Sequence, residues 1–360
     1  MTDSSLPPSF EGPTCPMPLA HGEQIVMGHG SGGRLTNELI QRVFLPAFTN
    51  PILLAGNDFA NPGLPEDARL HGSLAISTDS HIITPLFFPG GDIGRLAVCG
   101  TVNDISMSGA IPLFLTAGFI LEEGLSIEIL QKVATSMQAA AQEAGISIIA
   151  GDTKVVERGK GDGIFINTTG VGWIPPGCQI GGQMAQPGDV VIISGTLGDH
   201  GIAVLSARGE LGFETALQSD TAPLNHLIQD ILKVAPNTHV LRDPTRGGLA
   251  TTLNEIAHQS QLSIWLDETK IPVKPAVQAA CEMLGFDPLY IANEGKVIVI
   301  LPANEAESAL SAMRNSPYGL DAVQIGEVKS GSAGRVLLKT PIGGTRILDV
   351  LAGEMLPRIC

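Results

Sequence analysis

The chain has 360 residues, 44% of them hydrophobic and 16% charged, which is enough for one or two globular domains with a buried core. Its 36 Asp and Glu residues outnumber 21 Lys and Arg residues, and the net charge of −15 excludes DNA, RNA and anionic membranes as partners held by general electrostatic attraction. There is no basic leader ahead of an apolar run, no apolar stretch of about 18 residues and no CxxC pair among the five Cys residues, so we expect a cytoplasmic protein with reduced thiols.

Sequence patterns predict a flexible leader at residues 1–22, rich in Pro, Ser and Gly, followed by an N-terminal domain at 23–176. In chain order this domain is expected to contain a strand at 23–27, helix at 34–48, strand at 74–77, helix at 93–108, strand at 113–121, helix at 126–144 and strands at 146–150 and 164–171. The glycine at position 145 is a predicted helix terminator.

The segment Trp173–Asp189 is rich in Pro and Gly and predicts the boundary to a second domain at 177–345. Its expected elements are a strand at 190–194, helices near 199–208, 222–234 and 248–260, and strands near 263–266, 296–301 and 323–328. Residues 346–360 are expected to form a mobile tail. Neither half alternates strand and helix regularly, so the pattern favours α+β domains over a doubly wound sheet.

A glycine-rich loop, Gly28–Gly33, allows three interpretations. Its GxGxxG spacing fits a dinucleotide-binding turn, with Asp58 about where a ribose ligand would lie. It also comes near to a P-loop, but Arg34 and Leu35 stand where that motif has Lys and Ser or Thr. The third interpretation is a flap whose backbone N–H groups close over phosphates bound elsewhere. Since the chain has 43 Gly residues, a purely structural turn is an equal alternative.

Four carboxylates lie where apolar segments are expected to reach a surface. Each one alone would suit a helix cap or a turn. Carboxylates in apolar settings need partners, however, and Mg²⁺ takes oxygen ligands. We therefore expect Mg²⁺, bridging a nucleotide, to be held by Asp79, Asp104, Asp152 and Asp243.

Three further groups are candidates for phosphate binding or proton transfer. Arg246, Gly247 and Gly248 open a predicted helix, whose N–H groups and dipole favour an anion. Lys154 is a candidate catalytic cation or base, and Glu294, in a polar turn, is a candidate general base, although a solvated turn residue would look the same. The histidines share no metal-ligand spacing and are interpreted as structural.

The chain ends at Cys360, where a thiol lies beside the terminal carboxylate. An incidental cysteine is the simpler interpretation, but a thiol on a mobile end can also carry a covalently bound group. Residues 346–360, fully extended, would reach about 50 Å, far enough to leave a nucleotide cleft and return. The neighbouring carboxylate disfavours the thiolate, so loading of the thiol would require a cation such as Arg358.

Eight segments together resemble the superfamily of aminoimidazole ribonucleotide synthetase, selenophosphate synthetase and thiamine-monophosphate kinase, and within it the HypE family of hydrogenase maturation. The resemblance runs from about Gln24 to the end of the chain, and no departure from the family pattern occurs in these segments. They are His29–Gly33, Thr78–Ser80, Phe87–Gly94, Gly100–Asp104, Gly151–Val155, Asp243–Leu249, Ala292–Lys296 and Pro357–Cys360.

This resemblance implies an ATP-dependent carbamoyl dehydratase. A carbamoyltransferase, HypF, would load a carbamoyl group onto Cys360 as a thiocarboxamide, ATP would phosphorylate its oxygen, and loss of phosphate would leave a thiocyanate. The cyano group would pass to iron on a HypC–HypD complex, for the cyanide ligands of [NiFe]-hydrogenase. The implied protein is a homodimer whose N-terminal sheets pair into a barrel, with ATP in clefts beside that interface and a C-terminal α/β sandwich.

Carried over residue by residue, the resemblance implies three sets of site residues. The catalytic residues are Cys360, Lys154 and Glu294; the cofactor contacts are Gly30, Ser31, Gly32, Gly33, Asp92, Asn103, Thr153, Arg246, Gly247 and Gly248; and the Mg²⁺ ligands are Asp79, Asp104, Asp152 and Asp243. Three alternatives remain at this point: a small-molecule kinase or synthetase of the same superfamily with an incidental Cys360, a nicotinamide-dependent dehydrogenase, and a non-catalytic scaffold for metal-centre assembly.

Overall fold

The computed structural model describes residues 33–39, 41, 72–209, 216–331, 334–351, 356 and 359–360. The predicted leader, the predicted strand at 23–27 and the candidate residues Gly30, Ser31 and Gly32 lie outside these residues. Helix α1 (Arg34–Leu39) is the first described element, and the N–H of Arg34 donates to the carbonyl of Leu351 at 3.0 Å.

The N-terminal half is a four-stranded sheet covered on one face by two helices. In chain order its elements are β1 (Ser73–His81), the short pair β2 (Phe87–Phe88) and β3 (Gly91–Asp92), α2 (Ile93–Ser106), β4 (Ile111–Glu122), α3 (Ile127–Ala144), β5 (Ser147–Val156) and β6 (Ile164–Ile174). The strand order is β1–β6–β4–β5, and only the β4–β5 pair, joined by α3, is parallel.

Helix α2 is built largely from small residues, which lets it lie close to the sheet. Gly170 of β6 shows how close: a Cβ added there would come within 2.4 Å of the Ile105 side chain on α2. Buried residues of α2, such as Leu96 and Val102, form the core of this half with Leu115 of β4. The apolar helix and sheet faces are thereby removed from water, which is the main stabilising contribution.

The C-terminal half is a seven-stranded sheet with helices on both faces. Its elements are β7 (Asp189–Ile193), α4 (Asp199–Ala207), α5 (Asn225–Val234), β8 (Val240–Arg242), α6 (Gly248–Ser260), β9 (Ser263–Asp267), α7 (Pro275–Leu284), β10 (Ile298–Pro302), α8 (Ala306–Arg314), β11 (Val323–Lys329), β12 (Arg335–Lys339) and β13 (Thr345–Leu348), with short 3₁₀ turns at Gly182–Met184, Glu268–Lys270, Pro288–Tyr290 and Ala303–Glu305. The strand order is β13–β12–β9–β11–β7–β10–β8.

Alternate residues of the central strand β7 enter two separate cores. Val191 and Ile193 pack with α6, whereas Val190 and Ile192 pack with α5 and α8. A strand buried on both faces reads as a continuous apolar run, which explains why β7 was predicted from sequence. The described strands form two mixed sheets and the separate antiparallel pair β2–β3, which agrees with the predicted α+β class and not with a doubly wound sheet.

Two strands that carry candidate residues are longer than the sequence predicts. β1 continues through Asp79 to His81, and β5 continues through Asp152 to Val156, so these carboxylates lie inside strands and not at their ends. The expectation that both lie where an element ends is therefore wrong. Pairing with the long strands β6 and β4 extends them despite the low strand propensity of Asp and Gly.

The C-terminal elements also differ from the prediction. Helices α7 and α8 and strands β12 and β13 were not predicted. Strand β13 pairs with β12 as far as Leu348, and the carbonyl of Asp349 accepts a hydrogen bond from Tyr290, so the first residues of the expected tail belong to the sheet. None of the helices in the described part of the chain has the length and apolar character needed to cross a membrane.

Candidate active site around the chain end

The last two residues lie docked between the two halves of the molecule. Ile359 is buried and forms an antiparallel bridge with Ile83, just beyond the end of β1. The N–H of Ile82 donates to a carboxylate oxygen of Cys360 at 3.2 Å, and the Nε2 atom of His200 lies 2.7 Å from the carbonyl oxygen of Ile359. The chain end thus occupies a defined place, with the Cys360 side chain half-buried against the N-terminal core.

Arg246 is a cation that interacts electrostatically with this chain end. Negative charge at Cys360 is the largest cause that raises the pKa of the Arg246 guanidinium above its ordinary value, and Asp79, Glu294 and Asp104 act in the same direction. One guanidinium nitrogen lies 4.0 Å from a carboxylate oxygen of Asp79. Arg246 is therefore a candidate for the cation that a thiol beside a carboxylate needs; Arg358, one of the sources considered from the sequence, lies outside the described residues.

Glu294 is a buried carboxyl group in a negative environment. Burial raises its pKa well above the ordinary value, and Asp79, Asp243 and Asp220 raise it further, while Arg246 opposes them. Its Oε1 atom makes no hydrogen bond to any residue in the described part of the chain. A carboxyl group whose pKa is shifted toward neutrality is suited to accept or donate a proton, and the role of Glu294 as a general base stays a prediction.

A second buried pair fixes the segment that carries Glu294. The Lys296 ammonium lies 3.2 Å from a carboxylate oxygen of Asp220, and the N–H of Glu294 donates to the other oxygen at 3.1 Å. Burial alone would raise the pKa of Asp220, but Lys296 and His200 outweigh it and lower that pKa. Asp220 and Lys296 were not named as candidates; Lys296 lies within the quoted Ala292–Lys296 motif, whereas no sequence pattern marks Asp220.

Asn103, a predicted cofactor contact, joins the two halves. Its side-chain amide is buried, accepts a hydrogen bond from the N–H of Leu224 at 2.8 Å and donates to the carbonyl of Ala222 at 3.0 Å. It also donates more weakly to the carbonyl of Glu294, at 3.4 Å. The amide thus positions the backbone around Glu294, and contact with a cofactor stays a prediction.

Asp92, another predicted cofactor contact, caps helix α2. One carboxylate oxygen accepts from the N–H groups of Gly94 at 2.7 Å and Arg95 at 3.2 Å, and the other accepts from the hydroxyl of Ser136 at 2.5 Å. An N-cap carboxylate is a common way to satisfy the first N–H groups of a helix. Contact with a nucleotide stays a prediction for this residue.

The predicted phosphate segment does open a helix. Gly247 is the N-cap of α6, with φ of 77°, and no side chain caps this helix end. Gly248, with φ of 60°, packs so closely that a Cβ would come within 2.6 Å of the Leu289 carbonyl oxygen. Glycine is required at both positions by the left-handed backbone. Gly33, the described end of the glycine-rich loop, is buried next to α1.

Asp152 and Lys154 do not reach this site within one chain. Asp152 lies in a cross-strand row with Gly118, Asn167 and Ser80, whereas Asp79 lies in the next row along β1. Neighbouring rows of a sheet point to opposite faces, so Asp152 and Asp79 are separated by the sheet itself and by about 14 Å across it. Asp152 therefore lies apart from Asp79 within one chain, and Mg²⁺ binding by Asp152 stays a prediction.

The two faces are identified by contacts of their side chains. Ser77, two residues before Asp79, donates to a carboxylate oxygen of Asp104 on α2 at 2.8 Å, so Asp79 and Asp104 share the covered face. Lys154 shares the opposite face with Asp152, where the two form an exposed ion pair at 2.6 Å. Thr153 lies between them in β5. Pairing of Lys154 with Glu294 within one chain is excluded by this arrangement.

The other predicted Mg²⁺ ligands, Asp79, Asp104 and Asp243, are chemically suited to bind a cation. Within the described residues, no group of three or more His, Cys, Asp or Glu side chains is arranged to hold a metal ion unaided. Mg²⁺ typically takes only one or two protein carboxylates and completes its shell with phosphate and water, so such a cluster is not required. Besides burial, Asp79 and Asp243 both raise the pKa of Glu294 against the opposing effect of Arg246, so several carboxylates act on this position.

Two histidines at the site were interpreted from sequence as structural. His81 is buried on β1, lies 3.5 Å from a carboxylate oxygen of Asp79, and makes no side-chain hydrogen bond to the described residues. His200, at the start of α4, contacts the chain end directly. The sequence did not identify either histidine as a site residue, because their partners are distant in sequence and because the histidines share no metal-ligand spacing.

Comparison with known proteins agrees with this architecture. Residues 65–174 match the N-terminal domain, and residues 186–339 the C-terminal domain, of the AIR synthase related proteins. The carbamoyl dehydratase HypE of Cupriavidus necator is 54% identical over 337 residues, covering 94% of this chain and 95% of the relative.

Two solved structures are similar over most of the chain. A HypE–HypF complex gives a TM-score of 0.82 at 51% identity, covering 87% of this chain and 99% of the solved one. HypE in complex with ATP gives a TM-score of 0.78 at 52% identity, covering 92% and 98%.

Proposed function

The chain belongs to the HypE family of carbamoyl dehydratases, within the AIR synthase related proteins, and on this premise we propose that it builds a cyano group on its own last residue. The substrate is a carbamoyl group carried on the Cys360 thiol. ATP phosphorylates the carbamoyl oxygen with loss of one N–H proton, and the resulting imidate expels phosphate, which takes up the second proton. The products are a thiocyanate on Cys360, ADP and phosphate.

The docked position of the chain end is the observation that carries this proposal. Cys360 interacts electrostatically with Arg246, which in turn interacts with Glu294 and Asp79. A hydroxide-like oxygen is a poor leaving group, and phosphorylation makes it a good one, so the chemistry needs the carbamoyl group next to a nucleotide site. An acidic site with one guanidinium beside the carrier thiol supports that requirement.

We assign proton transfer to Glu294. A buried carboxyl group with a raised pKa binds a proton more strongly than an exposed one, and so it is a better acceptor for the poorly acidic N–H of a carbamoyl group. Arg246 offsets the negative charge of the Cys360 carboxylate and of the developing imidate. The half-buried setting of Cys360 supports exclusion of water from the intermediate.

ATP binding is supported by the solved ATP complex of a close relative. On this chain the proposed phosphate contacts are Gly30, Ser31, Gly32, Gly33 and the α6 segment Arg246, Gly247 and Gly248, with further cofactor contacts from Asp92, Asn103 and Thr153. Asp79, Asp104 and Asp243 would hold Mg²⁺, which supplies charge neutralisation of the phosphates when bound.

The homodimer completes the proposal, because Asp152 and Lys154 lie on the face of the sheet away from α2. That face and the β5 edge expose apolar side chains, among them Ile76, Ile120 and Ile149. Pairing of two such sheets would cover these side chains and bring Asp152 and Lys154 of one protomer toward the clefts at the interface. Lys154 would then act on the chain end of the partner, and Asp152 on its nucleotide.

The proposed partners follow from the carrier role of Cys360. The solved HypE–HypF complex supports HypF as the source of the carbamoyl group, and a HypC–HypD complex is the proposed acceptor of the cyano group. The eleven residues after Asp349 span about 36 Å when extended, which allows Cys360 to leave the cleft and meet a partner. A cytoplasmic location belongs to the same proposal, since the carrier thiol must stay reduced.

Intact-mass analysis after incubation with HypF, carbamoyl phosphate and ATP tests this function. We expect a carbamoyl adduct on Cys360 that then loses one water. The variant Cys360→Ala should show neither mass change. Turnover of a soluble small-molecule substrate by Cys360→Ala would instead indicate a kinase or synthetase of the same superfamily.

A further inference from the structure

His200 lies where the C-terminal half meets the docked chain end. It is fully buried in the first turn of α4, and its ring is packed edge-on against Phe88, with ring centroids 5.5 Å apart. Its Nε2 atom lies 2.7 Å from the carbonyl oxygen of Ile359, and its Nδ1 atom lies 2.8 Å from the hydroxyl oxygen of Ser219. Both ring nitrogens are therefore engaged, one of them by the chain end.

The partners determine which nitrogen carries the proton. A carbonyl oxygen can only accept a hydrogen bond, so Nε2 donates to Ile359. Burial lowers the pKa of His200, which keeps the ring neutral and leaves Nδ1 as an acceptor for the Ser219 hydroxyl. The Ser219 oxygen lies 2.7 Å from the Thr221 hydroxyl, and the Ser219 N–H donates to the Pro89 carbonyl at 2.7 Å. The ring orientation is thus set from both halves.

We propose that His200 is a positioning residue that holds the chain end in the cleft through the Ile359 carbonyl, so that the group carried by Cys360 is held against Glu294 and Arg246. This inference rests on the proposed function, in which Cys360 carries the substrate. The hydrogen bond between His200 and Ile359 can be tested whether or not the proposed reaction occurs.

Two hydrogen bonds on adjacent residues make this positioning effective. The Ile82 N–H donates to a carboxylate oxygen of Cys360, and His200 donates to the carbonyl oxygen of the preceding residue. One contact alone would let the last residue rotate about the chain axis, whereas two fix both its position and its direction. The Ile359 side chain, 4% exposed, adds apolar contact but does not define the direction of the thiol.

The chain end must also be able to leave, which limits how strong each contact is. A single hydrogen bond in a buried setting contributes a net stabilisation that corresponds to about a fivefold to tenfold change in an equilibrium. Loss of the His200 bond should therefore raise the undocked fraction by about that factor. His200 contacts the backbone carbonyl of Ile359, so this hydrogen bond does not involve the Ile359 side chain.

Alkylation of Cys360 in the full-length protein tests the inference without ATP or a carbamoyl donor. Each variant is treated briefly with iodoacetamide, and the modified cysteines are quantified by peptide mass spectrometry. His200→Ala should alkylate Cys360 about fivefold to tenfold faster than the original chain. His200→Gln should stay close to the original chain, because its amide N–H can reach the same carbonyl.

Internal references separate release of the chain end from unfolding. Cys99 and Cys281 are buried, and burial raises the pKa of their thiols to about 12 and about 11, so they react slowly in the folded protein. They should stay unmodified in every variant. His239→Ala is the matched control. The His239 ring forms a hydrogen bond with Asp189 at the start of β7, whereas His200 follows the end of that strand. Loss of the His239 ring should therefore leave the rate of Cys360 alkylation unchanged.

A second measurement ties the contact to the reaction. The single-turnover rate of dehydration of a preloaded Cys360 depends on the docked fraction, so it should fall in His200→Ala by a smaller factor than the rise in alkylation, and it should be restored in His200→Gln. Alkylation of Cys360 in His200→Ala at the original rate would overturn the inference. If the original chain itself failed to dehydrate a loaded Cys360, the proposed function would be rejected, while the alkylation result would still decide the docking role of His200.

Discussion

Asp79 and Asp152 lie on opposite faces of the same four-stranded sheet, with strands β6 and β4 between them. Asp79 faces α2 and the docked chain end, whereas Asp152 and its ion-pair partner Lys154 face outward. A site that uses both faces must therefore combine two protomers. Under the proposed function, the homodimer is therefore required for catalysis as well as for assembly.

Mixed dimers test this condition. We expect Glu294→Gln and Lys154→Ala each to lose most of the dehydratase activity as separate homodimers. In a mixed dimer, one of the two sites combines an intact Glu294 with an intact Lys154 from the other protomer, so about half of the original activity per dimer should return. The measurement is the dehydration rate of preloaded Cys360 after the two variants are unfolded, mixed and refolded. No recovery in verified mixed dimers would assign both residues to a site within one chain.

Glu294 should impose a pH-dependent loss of stability. Its pKa is raised by burial and by neighbouring carboxylates in the folded protein, so its neutral form is favoured there. Stability is then fully present below the unfolded pKa of about 4.3 and is lost as the pH rises through the folded value. Glu294→Gln should raise Tm relative to the original chain, by more at pH 8 than at pH 5. The exposed control Glu282→Gln should give a much smaller change, and a Tm gain that does not grow with pH would contradict the assignment.

Asn103 should be required for the coupling of the two halves. Asn103→Ala leaves the Leu224 N–H and the Ala222 carbonyl without their side-chain partner, which should lower the free energy of unfolding by about 2 kcal/mol. Chemical denaturation measures this change, and the exposed Asn315→Ala is the control. An unchanged KM for ATP in the folded variant would limit the residue to a structural role, whereas a large rise in KM would support the predicted cofactor contact.

Asp92 can be examined in the same way. Asp92→Ala removes the N-cap of α2 and should destabilise the protein by about 1 kcal/mol, whereas Asp92→Asn should retain most of the cap. Ser136→Ala removes only the contact to the second carboxylate oxygen. Thermal unfolding measures stability, and the KM for ATP is measured on the same samples. A KM that rises in Asp92→Asn without loss of stability would show that the carboxylate also contacts the nucleotide.

Much of the local structure could be predicted because it depends on neighbours in sequence. Helices α2 and α3 and strands β4, β6 and β7 follow from apolar periodicity, and Gly145 ends α3 in the left-handed conformation expected of it. The missed elements are short or amphipathic pieces. They are the strands β2 and β3 of the N-terminal half and β8, α7, α8, β12 and β13 of the C-terminal half. Strand β12, for example, contains only five residues and depends on pairing with β9.

The sequence by itself determined which chemical groups are present: a thiol at the last position, a set of carboxylates, and a glutamate in a polar turn between apolar runs. Only the tertiary structure decided which of these groups meet. Strand register places Asp79 and Asp152 on opposite faces, and docking of the chain end brings His200 to Ile359 across 159 positions of sequence. Register and docking depend on contacts between distant segments, and no local pattern encodes the face or the partner that results.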